Sequence, residues 1–266
     1  MAGFWNSLLV RLRTAGYLVP ATIILVILGN YFLLAGLLII IFLASREFLM
    51  LLERKGTEVF NLTIIVPPLL VPLFTYGGIP LPLVFGISIL FIFVAVIIRS
   101  ELDHFLERIT IPFFVLFYLG LLPTTLLAVR QLGLYHALFP ILITWVSDTG
   151  AYLVGVAIGM HKVASTLSPK KTWEGVAGGV LSSVGAVFLF TAIFPFDIYG
   201  GKLLALGITI PFVSLIGDLF ESGLKREVGL KDTSDILPGH GGFLDRIDSL
   251  LFVIPYFYLY YQYIVR

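Results

Sequence analysis

The residues of this chain best suited to chemistry are carboxylates, lysines and glycines concentrated in its C-terminal half. If 203–224 is helical, Ser214, Asp218, Ser222 and Lys225 recur at i, i+4, i+8 and i+11 and share one stripe. Asp218 then lies about 10 Å along the axis from Lys225, at roughly 1.5 Å per residue, inside an otherwise apolar run. An ionised carboxylate there demands a metal or a basic side chain as partner. Asp245, Asp248 and Ser249 are related by i+3 and i+4 at the start of the next run, with Arg246 about 100° around. Two oxygen-donor groups on consecutive antiparallel helices can converge on a hard divalent ion, and Mg²⁺ commonly takes only one or two carboxylates plus substrate phosphates and water. Between them, Pro238-Gly239-His240-Gly241-Gly242 offers backbone free to approach a phosphate. Lys225, Arg226, Lys231 and Arg246 supply counter-charge for a polyphosphate. Asp148, near the middle of a further apolar run, is a third candidate, to be partnered by a cation or a lysine shared with the other acids.

Other charges carry plainer readings. Lys170-Lys171, taken alone, reads as topology-setting positive charge at a membrane edge. Glu101, Asp103, Glu107 and Arg108, with His104 beside them, read as a solvated interfacial face. His136, His161 and Glu58 each stand alone and read as incidental. His240 serves either to touch substrate or to fix its loop. Asp218 and Asp245 could form a structural ion-pair set with Lys225 and Arg246, but that leaves the glycine cluster without a purpose.

The elements that position these residues must lie in a membrane. Of 266 residues 59% are apolar and 12% charged, with mean hydropathy +1.03, against about 45–50% and about 25% in soluble domains. The absence of cysteine excludes a disulfide framework, a thiolate zinc site and a thiol nucleophile. A bilayer core of about 30 Å takes roughly 20 apolar residues per helix. Nine runs satisfy this, near 15–29, 31–52, 59–76, 79–99, 109–129, 135–158, 174–196, 203–224 and 247–265. Gly29-Asn30 separates the first two, and Pro67, Pro68 and Pro72 should bend or break the third. Nine alternating spans place fourteen of the seventeen Lys and Arg residues on one face and only Arg130, Lys202 and Arg266 on the other. The fold expected is therefore all-α and polytopic, with about nine transmembrane helices and a cytoplasmic N-terminus. The first run also resembles a secretory signal, but it lacks a small-x-small cleavage site and is followed at once by a second run, as in a helical hairpin. No internal repeat is visible. The organisation reads as about five N-terminal spans over 1–133, then a catalytic transmembrane region over 134–266 with cytoplasmic loops at about 159–175 and 223–246.

The string Ser222-Gly-Leu-Lys225-Arg226, four residues, Lys231-Asp232, then Leu237-Pro238-Gly239-His240-Gly241-Gly242-Phe243-Leu244-Asp245-Arg246-Ile247-Asp248 resembles the signature of the phosphatidate cytidylyltransferase (CDP-diacylglycerol synthase) family. It keeps that signature's spacings over 27 residues. Ser168-Pro-Lys170-Lys171-Thr-Trp173-Glu174-Gly175 and Asp148-Thr-Gly-Ala-Tyr152 resemble further family features, so the likeness is strong over about 145–249 and weak over the N-terminal spans. The resemblance implies that CTP and phosphatidate give CDP-diacylglycerol and pyrophosphate, with Mg²⁺, at the cytoplasmic face of the inner membrane. It further implies Asp218 and Asp245 as metal ligands, with Asp248 a third ligand or a support to them. Lys225, Arg226, Lys231 and Arg246, with Ser222 and the backbone of Gly239, His240, Gly241 and Gly242, would hold phosphates. Lys170-Lys171 would complete the basic wall, and Asp148 and Lys171 would join the catalytic set. One metal ion or two, and a homodimer or a single chain, both stay open.

Two other functions compete. A CTP-dependent polyprenol or dolichol kinase shares the nucleotide and the many spans, but releases CDP. A cation-coupled transporter would use Asp148, Asp218 and Asp245 as an ion path and show no CTP dependence; the missing repeat and the gathering of acids toward one face speak against it. No nucleic-acid partner is implied.

Overall fold

The computed structural model describes residues 16–99, 103–234, 236 and 241–266. The described residues form nine helical segments: α1 (Gly16–Leu28), α2 (Asn30–Lys55), α3 (Asn61–Tyr76), α4 (Leu81–Arg99), α5 (Phe105–Leu132), α6 (Leu134–Ile158), α7 (Trp173–Ile193), α8 (Gly200–Glu227) and α9 (Leu244–Tyr260). Their order and edges follow the nine apolar runs. Helices α2, α4, α5, α6, α7 and α8 are each long and apolar enough to cross a membrane. The chain is an all-α polytopic membrane protein.

Two departures from the sequence reading have physical causes. Helix α3 is not broken by its prolines: Asn61–Tyr76 is one segment with Pro67, Pro68 and Pro72 buried inside it. Helix α5 relaxes into a π-helical turn over Leu116–Leu121, and its Gly120 has the Cα of Pro68 3.1 Å from where a β-carbon would stand. A wider turn and a missing side chain thus make room for the proline ridge. The loop after α6 holds a small antiparallel hairpin, β1 (Lys162–Ala164) and β2 (Ser168–Thr172), paired Lys162 to Thr172 and Ala164 to Ser168. Strands this short carry no alternation by which to find them.

The chain gathers into two compact units, one of Met1–Leu127 with Glu227–Arg246, the other of Ala128–Arg226 with Ile247–Arg266. In the first, α1 folds back on α2 through Gly29 and Asn30, both at positive φ, and Leu25 lies over Gly36. In the second, α6 and α7 meet through small residues. A β-carbon on Gly178 would stand 3.0 Å from the carbonyl oxygen of Gly150, one on Gly175 2.8 Å from that of Ala151, and one on Gly179 3.2 Å from that of Ser147. Lipid offers apolar side chains as good a solvent as another helix does, so close backbone approach of this kind is a principal source of association. Helices α8 and α9 meet in antiparallel register. Tyr256 donates to Thr209 Oγ1 at 2.6 Å, Ser249 donates to the Ser214 carbonyl at 3.2 Å, and Gly217 leaves space for the Asp248 carbonyl, 2.6 Å from a notional β-carbon.

Candidate active site

The second unit holds an acidic cluster. Lys171, at the end of β2, forms an ion pair with Asp218 of α8; the two side chains are 26% and 34% exposed. Four residues before Asp218, Ser214 donates to Asp148 Oδ1 of α6 at 2.9 Å. Asp248 of α9 accepts from its neighbour's amide, Ser249 N, at 2.7 Å, and the charges of Asp148, Asp218, Asp248 and Lys171 act on one another. Each is placed by a feature already described. The α6–α7 glycine contacts carry Asp148, the hairpin swings Lys171 back over α8, and Gly217 lets the backbone of Asp248 close on the turn that bears Asp218.

The first unit holds a folded loop. Asp245 Oδ2 accepts from Thr233 N (2.9 Å), Thr233 Oγ1 (2.8 Å) and Gly242 N (2.7 Å), and the residue is 8% exposed. Gly241 lies at φ +77°, where a side chain would be strained, and a β-carbon on it would meet Asp245 Oδ2 at 2.7 Å. At Gly242 a β-carbon would run into Thr233 and the carboxylate of Glu47. The absent side chains of these two glycines are thus filled by the protein's own carboxylates and hydroxyl.

The remaining candidates are spread around these two groups. In the second unit Ser222 is buried, Lys225 is ion-paired with the fully buried Glu221 one turn earlier, and Arg226 Nε donates to the Leu167 carbonyl at 3.3 Å. Lys170 is exposed there, as are Lys231 and Arg246 in the first unit. Gly239 and His240 lie outside the described residues, as do Pro238 and Glu101. His136 and His161 are not isolated: His136 Nε2 meets Asp197 Oδ1 at 2.7 Å and His161 Nδ1 meets Glu174 Oε1 at 2.5 Å.

In the second-unit cluster one lysine answers three carboxylates. That excess of negative charge, made of oxygen donors, fits a hard divalent cation. Among the described residues no three His, Asp or Glu side chains are grouped closely enough to hold a metal ion by themselves.

A family model, described as the cytidylyltransferase family, matches residues 9–264. The chain belongs to the cytidylyltransferase family. Its relatives include a phosphatidate cytidylyltransferase of Staphylococcus saprophyticus, 43% identical over 138 residues, which are 52% of this chain and 53% of the relative. One of Haemophilus influenzae is 35% identical over 189 residues, 70% of this chain and 58% of the relative. One of Staphylococcus haemolyticus is 46% identical over 130 residues, 48% and 49% of the two chains. The chain spans about half the length of the curated relatives it matches.

In this cytidylyltransferase-family chain the residue that sequence reasoning missed is Glu47. It lies within the second apolar run and is fully buried. Its carboxylate accepts hydrogen bonds from Thr233, Ser234, Phe243 and Leu244. The signal was present: an acid inside an apolar span is rare enough to be a functional candidate by default. Glu221, likewise buried and four residues before Lys225, was open to the same argument.

Proposed function

We propose that the protein transfers the cytidylyl group of CTP to phosphatidate, giving CDP-diacylglycerol and pyrophosphate, at the cytoplasmic face of the inner membrane. Family membership and the names of the relatives support the reaction class. The observation that carries it to particular residues is the Lys171–Asp218 pair set among Asp148 and Asp248. The fourteen to three division of basic residues between alternate loops supports the orientation.

The chemistry asks little of a base. A phosphate monoester has a second pKa near 6, so phosphatidate is largely dianionic at pH 7. Its oxygen attacks the α-phosphorus of CTP, the bond from that phosphorus to the bridging oxygen of the β-phosphate breaks, and pyrophosphate leaves with the electron pair. The obstacle is repulsion between anions, and catalysis is positioning and charge neutralisation. Asp218 and Asp248 would hold Mg²⁺. Bound there, the metal supplies charge neutralisation at the phosphoryl oxygens. Lys171, paired with Asp218, would exchange that carboxylate for a phosphate oxygen. Ser214 orients Asp148, and Lys170, Lys225, Arg226, Lys231 and Arg246 would contact phosphates. The Asp245 hydrogen bonds fix the backbone of Gly242 and Thr233. On this reading the chemistry belongs to 134–266.

Product analysis tests this reading. Purified protein with CTP, phosphatidate and Mg²⁺ should release one pyrophosphate for each CDP-diacylglycerol formed. Release of CDP with a newly phosphorylated lipid would assign the chain to lipid kinase chemistry, and substrate flux in liposomes without CTP dependence would make it a transporter.

A further inference from the structure

We propose that Glu47 is a positioning residue: its carboxylate ties Thr233 and Ser234 to the first residues of α9 and thereby sets the helix turn that carries Arg246 toward the CTP phosphates. The engagement of CTP rests on the function proposed above; the pinning does not.

Glu47 is 0% exposed and sits on α2. Burying a carboxylate is costly unless it is fully hydrogen-bonded. Here four donors meet its two oxygens: Ser234 Oγ at 2.7 Å and Phe243 N at 2.9 Å on Oε1, Leu244 N at 2.8 Å and Thr233 Oγ1 at 3.1 Å on Oε2. All four donors lie 186 to 197 positions away in the chain. Thr233 and Ser234 follow α8 by six and seven residues, and Phe243 and Leu244 stand at the start of α9. One carboxylate therefore joins these two described stretches.

The two amides are also among the donors at the start of α9 that have no partner within the helix. Negative charge is favoured there, so Glu47 acts as a cap supplied from a distant helix. Thr233 links this carboxylate to the next: its single hydroxyl hydrogen faces both Glu47 Oε2 and Asp245 Oδ2, and can serve only one at a time. Next to Phe243, Gly242 has space only for a hydrogen beside Glu47. A glutamine at position 47 would fit the volume, but its NH₂ would confront donors and leave at least one buried amide without an acceptor.

The test compares Glu47→Gln, Glu47→Ala and the milder Thr233→Val with wild type, in detergent. Hydrogen exchange should rise at least tenfold in the peptide covering 241–246 of Glu47→Gln, with α6 and α7 unchanged. KM for CTP should rise at least tenfold and KM for phosphatidate by less than twofold, and Thr233→Val should show the same pattern more weakly. Unchanged exchange in 241–246 of both Glu47→Gln and Thr233→Val would overturn the proposal. So would a fall in kcat that tracks the folded fraction with both KM values constant, the mark of a merely structural residue. If Glu47→Gln or Glu47→Ala fails to fold, Thr233→Val decides on the same readouts. A wild-type protein that transfers no cytidylyl group would refute the function proposed above; the exchange result would still decide the pinning.

Discussion

Lys171 and Asp218, 47 positions apart, form an ion pair that ties the β-hairpin to α8. Nothing local produces it. The hairpin must reverse the chain after α6, and α8 must present Asp218 on the polar stripe that also carries Ser214. A partly buried pair of this kind loses more when one partner is removed than it contributes as a pair, because the other charge is left behind.

Exchanging the two charges separates structure from chemistry. Lys171→Met alone should lower thermal stability by about 1–3 kcal/mol, less than the ~3–5 kcal/mol of a fully buried pair. The reversed pair, Lys171→Asp with Asp218→Lys, should recover most of that loss while cytidylyl transfer stays at least a hundredfold down. Melting in detergent alongside the transfer assay checks both, and activity restored with stability would make the pair structural only.

The α6–α7 contact should be sensitive at one glycine and tolerant at another on the same helix. Gly178→Leu places a side chain against the Gly150 carbonyl and should destabilise by about 1–3 kcal/mol or more by overpacking. Gly185, whose notional β-carbon has nothing within 4 Å, should accept leucine with little change. Equal melting temperatures for the two variants would contradict the packing described.

Away from the acidic cluster, Asp197 links α6 to the end of the chain. Burial pushes its carboxyl up, but the bond from Tyr261 at 2.6 Å and the contact with His136 at 2.7 Å outweigh it and hold the group below its ordinary 3.8. A depressed carboxyl contributes stability above its unfolded value and loses it as pH falls through the folded one. Asp197→Asn should therefore melt lower than wild type at pH 7, by about 1 kcal/mol or less since the side chain is 54% exposed. The gap should close as pH falls below about 4. A gap constant down to pH 3 would show that the carboxylate charge is not what stabilises there.

The helices were legible because several apolar runs end on a residue with a physical reason to stop them, such as Gly29 and Asn30 at positive φ or Gly133 before α6. Asp148 and Asp218 were legible as charges out of place in apolar runs, whereas Lys171, taken alone, read as topology-setting charge and its pairing with Asp218 shows only in the fold. What stayed hidden depended on partners far along the chain. Glu47 follows Arg46 inside a run read as a plain span, and its donors begin 186 positions later. His136 looks solitary until Asp197 folds back to it, 61 positions on. Gly241 and Gly242 read equally well as room for a phosphate or for a carboxylate, and only the position of Asp245 and Glu47 reveals the second use. The spacing of Asp245 with Asp248 likewise gave no sign that Asp245 supports Thr233 and Gly242.

The most direct test of the account follows the α-phosphate of CTP. Protein in detergent would be given α-³²P-CTP, phosphatidate and Mg²⁺, with and without EDTA, beside Asp218→Asn confirmed as folded by its melting curve. The account predicts label in the lipid phase as CDP-diacylglycerol, abolished by EDTA and reduced at least a hundredfold in Asp218→Asn. Label reaching lipid only from γ-³²P-CTP, or near-normal α-label transfer by Asp218→Asn, would contradict it.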